Sequence, residues 1–212
     1  MILCGASAKE LEALLDRLVP RPRRPKRWLG QYRTPASIAV HMLWRLAVAD
    51  KLPAIVYDLG SGTGVLSYAA ACLGAGYVVG VEVDADSAAD AASSPLHRIL
   101  PNVDFVVADV RTPPLRRTRH GLSVMNPPFG SRHAMRGVDM VFVEAGCRLT
   151  GWVISIHDAH SINLEAIASG RCGGPCRVIG EALFPIPSMY RGHRKKLHYI
   201  RVAIIECSAE ER

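Results

Sequence analysis

Asp58-Leu59-Gly60-Ser61-Gly62-Thr63-Gly64 follows the apolar run Ala54 to Tyr57, and this stretch decides the fold. Glycines at alternate positions allow a tight turn and let the backbone come close to a ligand. The exposed N–H groups of a following helix can bind a carboxylate or a phosphate. The pattern therefore predicts a strand, a ligand-binding loop and a helix. Position 65 is valine, so the glycine spacing of dinucleotide-binding loops is not met.

Short apolar runs alternate with helical segments on both sides of this loop. The predicted strands are Ala54–Tyr57, Tyr77–Val81, Val103–Val107, Gly121–Met125, Trp152–Ile156, Arg177–Leu183 and Leu197–Glu206. The clearest intervening helices are Val65–Leu73, Ser87–Ala92, Val138–Leu149 and Ser161–Ala168. Such alternation is typical of a parallel sheet covered on both faces. The last two runs have no convincing helix between them, which predicts an antiparallel hairpin. The predicted fold is an α/β fold with seven strands, mostly parallel.

The N-terminal region is predicted to be helical. Ser7 followed by Glu10 forms a capping-box pattern that opens a first helix. Thr34 and Pro35 are interpreted as the N-cap and first residue of a second helix. Between the two lies the basic run Arg21–Arg27, which fits a phosphate contact, an import signal or a solvated connector. The sequence leaves these three interpretations open.

Length and charge limit the organisation and the partners. A chain of 212 residues that is 49% hydrophobic can bury one good core, so residues 1–212 are interpreted as one domain. Residues 1–50 would form a helical extension and residues 51–212 the catalytic core. The formal charge of +7 favours a polyanionic partner such as nucleic acid.

The sequence also bears on the location of the protein. No apolar run approaches the ~20 residues needed to span a bilayer, and Met1 to Gly5 is too short for a signal-peptide core. The expectation is a soluble intracellular protein without membrane contact, in the nucleus or cytoplasm. A mitochondrion fits less well because Glu10, Glu12 and Asp16 are acidic, and transit peptides are poor in acids.

The cysteines are scattered along the chain, at Cys4, Cys72, Cys147, Cys172, Cys176 and Cys207. We therefore expect reduced thiols in a reducing compartment. A zinc site formed by His157, His160, Cys172 and Cys176 is the alternative. Against it, His157 ends a predicted strand, and the two cysteines flank a Gly-Gly-Pro turn. No metal site is predicted.

Acidic residues follow three successive predicted strands. Asp58 could hold water or the ammonium group of a ligand, and Glu82 could accept hydrogen bonds from ribose hydroxyls. Asp84 competes for the ribose role, but Glu82 is the first acid after its apolar run. Asp109 could accept from an adenine amine while the N–H of Val110 donates to the ring. Each acid alone could be a helix cap or a solvated strand end, but together they favour S-adenosylmethionine as the ligand.

Asn126-Pro127-Pro128-Phe129 follows the fourth predicted strand. The Asn126 side-chain oxygen and the Pro127 carbonyl are two acceptors suited to the hydrogens of a planar amine. The prolines keep the turn rigid, and Phe129 offers a face on which a flat base can stack. A proline-rich turn after a buried strand is the alternative. Behind the glycine loop, the motif instead predicts methyl transfer to a conjugated nitrogen.

With these motifs in place, the chain resembles the methyltransferase-like five family, class I adenine-N6 methyltransferases of eukaryotic small-subunit ribosomal RNA. The resemblance rests on Leu29-Gly30-Gln31-Tyr32-Arg33-Thr34, Asp58 to Leu66, Leu73-Gly74-Ala75-Gly76, Asn126 to Gly130 and Ser155-Ile156-His157. It implies the Rossmann-like class I sheet and N6-adenine methylation of small-subunit rRNA. It adds Gln31, Thr34 and Leu66 to a donor site that includes Gly60, Gly62 and Gly64. It also implies a heterodimer with a small zinc-binding activator that covers an edge of the sheet.

The chain departs from this family at a few positions and matches its basic segment. Gly30 stands where the family often has Glu, and Ser61 and Thr63 replace cysteines that are common there. Residues 189–196 resemble the family's basic segment between the last two strands. The predicted RNA contacts are Arg132, Arg191, His193, Arg194, Lys195 and Lys196, with His133 and Arg136 as extensions. A charged hairpin tip that keeps a sheet edge soluble is the alternative.

Two rival functions remain open at this point. A glutamine-N5 methyltransferase of release factors presents the same planar nitrogen to an Asn-Pro-Pro turn. That class typically has Tyr after the prolines and an added N-terminal substrate domain, whereas this chain has Phe129. A non-catalytic ribosome-assembly or RNA-binding factor is the other rival, and the intact Asn126, Glu82 and Asp109 argue against it.

Overall fold

The computed structural model describes residues 6–128, 137–167, 172, 174–187 and 197–208. The helices are α1 (Ala8–Leu18), α2 (Ala36–Val48), α3 (Val65–Cys72), α4 (Ala85–Ala92), α5 (Pro95–Ile99), α6 (Val138–Thr150) and α7 (Leu164–Ile167), with a 3-10 turn at Arg27–Leu29. The strands are β1 (Ile55–Leu59), β2 (Tyr77–Glu82), β3 (Val103–Val107), β4 (Gly121–Met125), β5 (Trp152–Asp158), β6 (Cys176–Pro187) and β7 (Leu197–Ser208).

All seven strands form one sheet in the order β3-β2-β1-β4-β5-β7-β6. The first five strands of that order run parallel, and β7 runs antiparallel to both β5 and β6. The predicted Rossmann-like α/β sheet with a C-terminal antiparallel hairpin is confirmed. Because parallel strands end at the same edge, the loops after β1, β2, β3 and β4 meet at their carboxyl ends, where ligands bind in sheets of this kind.

Apolar side chains cover both faces of the sheet. On one face, α1, α2 and α3 pack together over strand residues such as Val56, Leu122 and Ile154. On the other face, α6 packs on β4 and β5 through Val143 and Leu149. Strands buried on both faces read as continuous apolar runs, and this explains why the predicted strands could be located.

The N-terminal region differs from expectation at one residue. The capping box of Ser7 and Glu10 is confirmed, because each side chain bonds the other's backbone N–H. Thr34 as a helix N-cap is wrong: Pro35 occupies that position and α2 begins at Ala36 without a side-chain cap. The Thr34 hydroxyl instead contacts Asn126, 92 residues along the chain.

Two further differences concern short helices. The sequence missed α5, a five-residue helix that is capped by the Ser94 hydroxyl and has Pro95 in its first turn. The helix expected over residues 161–168 is shorter, spanning Leu164–Ile167, and residue 168 lies outside the described part. None of the helices in the described part of the chain is long and apolar enough to cross a membrane.

The structure departs from the expected reduced thiols at four cysteines. The structure pairs Cys147 with Cys172 and Cys176 with Cys207 as disulfides. The partners are 25 and 31 residues apart, so only the fold brings them together. Cys72 is a free, buried thiol.

Candidate active site

The loop between β1 and α3 forms the floor of the site. Gly60, Gly62 and Gly64 all have positive φ angles, of 73°, 54° and 86°, which side chains with a Cβ rarely adopt. Space is also limited, since a Cβ on Gly60 would lie 2.7 Å from the Phe142 ring and one on Gly64 would lie 2.7 Å from the Phe105 ring. The loop therefore depends on glycine for both its backbone angles and its close packing.

Glu82 fixes this loop from the end of β2. Its Oε2 accepts a 2.8 Å hydrogen bond from the Gly62 N–H, and its Oε1 accepts one of 2.9 Å from the Asp84 N–H. Burial raises the pKa of Glu82, although both backbone bonds favour the charged form. Because each carboxylate oxygen has two lone pairs, Glu82 can still accept from a ribose hydroxyl in the adjoining cavity, which it lines.

Asp84 has a different task from Glu82. Its side chain is fully buried, and it accepts hydrogen bonds from Lys26, Gln31 and Ser87. Burial alone would raise the pKa of Asp84, but these bonds together lower it to about 2. It is absent from the cavity wall as described. The geometry therefore favours Glu82 over Asp84 as the ribose acceptor.

Residues 22–34, which we call the strap, close one side of the cavity. Gln31 organises the strap: its Oε1 accepts from the Lys26 N–H at 2.7 Å, and its Nε2 donates to Asp84 at 2.8 Å. Arg23 extends this contact by pairing with Asp90 at 2.8 Å. Arg23 and Lys26 of the basic run thus bind acids of this chain, which favours the connector interpretation for those two residues.

Asp109 and Val110 line the cavity after β3, as the sequence predicts for the donor base. The Asp109 carboxylate already binds Arg111, through its backbone N–H at 2.9 Å and its guanidinium at 2.5–3.0 Å. These bonds lower the pKa of Asp109. The carboxylate stays ionised and keeps lone pairs for an amine.

Asn126 lies at the end of β4, where the cavity reaches the predicted catalytic turn. Its Nδ2 donates to the Thr34 hydroxyl at 3.0 Å, which orients the amide. Its Oδ1 is buried and has no hydrogen-bond partner among the described residues. A buried acceptor without a partner costs about 1–3 kcal/mol. The free oxygen therefore marks where a donor group of a substrate would bind.

The other residues of the turn are placed differently. Pro128 lines the cavity, whereas Pro127 is buried and does not. Phe129 lies outside the described residues, as do the predicted RNA contacts Arg132, Arg191, His193, Arg194, Lys195 and Lys196, together with His133 and Arg136.

Asp58 and Leu66 lie behind the loop. The Asp58 carboxylate is fully buried; its Oδ2 accepts a 2.6 Å hydrogen bond from Ser67, while Oδ1 has no partner in the described structure. Burial raises the pKa of Asp58 to about 7. Leu66 packs in the core against α2 and α3 residues, and neither residue lines the cavity. We correct Leu66 from a donor contact to a core residue that supports the loop.

The cavity enclosed by these elements has a volume of about 400 Å³, within the usual range for a small-ligand site. The sequence missed two kinds of wall residue. Trp28 of the strap lines the cavity and is 70% exposed, and Val138, Val141 and Phe142 of α6 supply an apolar wall. Apolar residues at helical spacing carry no signal that separates a cavity wall from a core.

Comparisons with known proteins identify the family. The rRNA N(6)-adenosine-methyltransferase METTL5 of Danio rerio is 34% identical over 201 residues, covering 93% of this chain and 96% of that protein. The METTL5 protein of Drosophila melanogaster is 35% identical over 187 residues, covering 84% and 86%.

The chain belongs to the METTL5 family.

Solved structures agree with the METTL5 assignment. A Pyrococcus horikoshii protein proposed to be an RNA methyltransferase is 32% identical, with a TM-score of 0.79 over 95% of this chain and 96% of that one. A Thermus thermophilus 16S rRNA methyltransferase in complex with AdoMet and guanosine shares the fold, with a TM-score of 0.60 at 18% identity, over 85% of this chain and 44% of that one. The model of the ribosomal protein L11 methyltransferase family (PrmA) matches residues 35–98, which contain the glycine loop and Glu82 but end before Asn126.

The METTL5 assignment makes this chain an S-adenosylmethionine-dependent methyltransferase, and its residues fit that donor. Glu82 offers carboxylate oxygens for ribose hydroxyls, Asp109 offers an acceptor for the adenine amine, and the loop N–H groups line the same cavity. When bound, the donor supplies an electrophilic methyl group on a sulfonium. Asn126 lines that cavity at the end of the neighbouring strand, and its Oδ1 has no hydrogen-bond partner among the described residues.

Proposed function

We propose that this protein transfers the methyl group of S-adenosylmethionine to the N6 nitrogen of an adenosine in small-subunit ribosomal RNA. One observation carries the proposal: Asn126 holds a buried Oδ1 that has no partner in the described part of the chain, beside the donor cavity, with its amide nitrogen fixed by Thr34. An adenine N6 amine has two hydrogens to donate and meets this acceptor, together with the Pro127 carbonyl, as a flipped-out base.

The residues promote methyl transfer by orienting the nitrogen. Two acceptors at Asn126 and Pro127 hold the amine so that its lone pair faces the methyl group. The nitrogen then forms a bond to the methyl carbon as the carbon–sulfur bond breaks, and S-adenosylhomocysteine leaves. The methylated nitrogen is strongly acidic and passes its extra proton to solvent, so no strong general base is needed. Phe129 would stack on the base.

A basic surface beside the site would bind the RNA phosphates. Asp158, at the carboxyl end of β5, pairs with Val202 of β7. Strand β7 starts five residues before Val202, at Leu197, which pairs with Pro187 of β6. Pro187 and Leu197, the described residues on either side of the basic segment, therefore lie at the end of the sheet that carries the cavity. The net charge of +7 supports the proposed phosphate contacts of Arg191, His193, Arg194, Lys195 and Lys196 with the RNA. Arg132 follows the catalytic turn and extends them.

We also propose a heterodimer with a small zinc-binding activator protein on the free edge of β3. β3 is a terminal strand of the sheet and presents unpaired backbone groups. Val107 on this strand and Ile99 just before it are 56% and 50% exposed. A parallel sheet is usually covered, so exposed apolar residues at its edge fit a partner strand. Val107→Lys should abolish co-purification of the two proteins, whereas Val178→Lys on the opposite edge strand should not.

We propose that the protein works in the nucleus or cytoplasm rather than in the mitochondrion, because Glu10, Glu12 and Asp16 are acidic and transit peptides are poor in acids. A fluorescent fusion expressed at native level, viewed beside nucleolar, cytoplasmic and mitochondrial markers, tests this. Signal confined to mitochondria would overturn the location.

The deciding experiment is transfer of labelled methyl to total RNA and total protein side by side, with and without the activator, followed by nucleoside analysis. Label recovered as N6-methyladenosine in small-subunit rRNA is the expected result. Label on glutamine would move the protein to the release-factor class. Donor binding with no label in either fraction, even with the activator present, would favour a non-catalytic ribosome-assembly factor.

A further inference from the structure

Four cysteine sulfurs meet at the end of the sheet opposite the active site. Cys147 comes from the last turns of α6, Cys172 from the segment after α7, Cys176 from the start of β6 and Cys207 from the end of β7. The Sγ atoms of Cys172, Cys176 and Cys207 all lie within 4.8 Å of one another, and Cys147 pairs with Cys172. We propose that these four cysteines form a structural zinc site when the protein is in a reducing compartment.

The distances suit a tetrahedral metal. A zinc–sulfur distance of 2.3 Å separates the sulfurs of a tetrahedral site by roughly 3.8 Å, so sulfurs within 4.8 Å need only a small adjustment. The Cα atoms of the two cysteine pairs are 5.2 and 4.2 Å apart. Three of the sulfurs are thus already gathered around one point, and the fourth, on Cys147, lies beside that of Cys172.

The sequence and the burial also fit a structural site. Cys172 and Cys176 are separated by Gly-Gly-Pro, a spacing within the two to four residues usual between the first zinc ligands. Cys207 is fully buried and Cys172 nearly so, while Cys147 and Cys176 are partly buried. A closed site of four thiolates leaves no open position for catalysis, so the zinc would have a structural role.

Whether the four cysteines bind zinc or form disulfides depends on how reducing the compartment is. The proposal therefore rests on the proposed function, which includes the nucleus or cytoplasm as the compartment. Disulfides are rare in the nucleus and cytoplasm because thiols are kept reduced there. Four adjacent reduced thiols can then each release a proton and bind one zinc ion. The metal would tie α6 and the segment at Cys172 to the hairpin of β6 and β7.

His157 and His160, the histidines of the alternative zinc site, lie at the opposite end of β5 from the cysteines. His157 lies near the carboxyl end of β5, and its Nδ1 is 3.3 Å from Asp139. Cys207 pairs with Val153 at the opposite end of the same strand. His160 follows the carboxyl end of β5, so the proposed ligand set contains sulfur only.

The test is metal analysis of the untagged full chain purified under reducing conditions from cells grown with zinc. We expect one zinc per chain by mass spectrometry, and four sulfur neighbours by X-ray absorption. Cys147→Ser and Cys207→Ser should lose most of the zinc, whereas Cys72→Ser, a buried thiol on α3, should retain it. Titration of the wild-type chain with a mercurial should release zinc as four thiols react, which tests the site without any variant.

The proposal would be overturned by a zinc-free chain in which these cysteines are found either in the two disulfides or as four free thiols. Methyl transfer is measured separately on the same preparation with the activator protein added. Zinc without transfer would leave the site standing and reject the proposed function, while transfer without zinc would reject only the site.

Discussion

The donor half of the sheet, β1 to β4, and the hairpin half, β6 and β7, differ in how completely their buried polar groups are hydrogen-bonded. In the donor half, Asn126 Oδ1, Asp58 Oδ1, and the hydroxyls of Ser61 and Thr63 are buried with no hydrogen-bond partner in the described structure. In the hairpin half, Glu206 accepts from Arg45 at 2.7 Å, from Arg177 at 2.7 and 2.9 Å and from Trp152 at 3.1 Å. Satisfied groups stabilise a fold, whereas unsatisfied groups beside a cavity mark places where a ligand or water can bind.

The largest effect expected from this contrast is on Asn126→Ala. Removing the acceptor that orients the amine should lower the rate of methyl transfer by at least about 100-fold. Donor affinity should stay nearly unchanged, since the donor contacts on Glu82 and Asp109 remain. Single-turnover transfer and a donor titration on the same preparation separate the two quantities. Full activity in this variant would show that the mechanism is wrong.

Thr34→Val sharpens the same test. It removes the partner of the Asn126 amide nitrogen at 3.0 Å but leaves the acceptor in place. A lost hydrogen bond of about 1 kcal/mol predicts a rate reduction of roughly fivefold. A loss as large as that of Asn126→Ala would assign Thr34 a direct contact with the substrate.

Asp58 provides a pH test of the donor half. Its folded-state pKa of about 7 is above its ordinary value of 3.8, so the folded chain holds a proton that the unfolded chain releases. Its contribution to stability should therefore fall as the pH rises from about 4 to 7 and level off above that, by up to about 1.4 kcal/mol per pH unit. Asp58→Asn, which still accepts from Ser67, should lack this dependence. Urea unfolding at several pH values measures both chains.

The sequence predicts some features of the two halves and misses others. Strands β3 and β4 were predicted at their observed bounds because short apolar runs between turns mark buried parallel strands. The acids at strand ends were found because parallel topology gathers them at one edge. The bond between Thr34 and Asn126 and the cysteine cluster were missed. Both depend on contacts between distant parts of the chain, for which a single sequence carries no periodic signal.

In the hairpin half, Glu206→Ala should reduce stability instead of catalysis. It leaves Arg45, Arg177 and the Trp152 N–H without their common acceptor, and hydrogen bonds to charged groups contribute about 1.5–3 kcal/mol each. Because the two arginines can turn to solvent, we expect a net loss of about 2 kcal/mol. Glu181→Ala is the matched control, since its 3.9 Å contact with Arg201 is exposed and should contribute less than about 1 kcal/mol. Equal losses would mean that the Glu206 network adds little stability.

Two alanine substitutions separate backbone strain from packing within the glycine loop. Gly60→Ala and Gly62→Ala share a positive φ, so both lose about 1–2 kcal/mol to strain. Only at Gly60 does the new Cβ meet the Phe142 ring, at 2.7 Å, whereas no atom of the described residues lies within 4 Å of a Cβ at Gly62. The ring lines the donor cavity and must shift to make room, so Gly60→Ala should bind the donor about tenfold more weakly than Gly62→Ala. Equal donor affinities by calorimetry would show that Phe142 yields without narrowing the cavity, and that glycine is required at position 60 for its backbone angles alone.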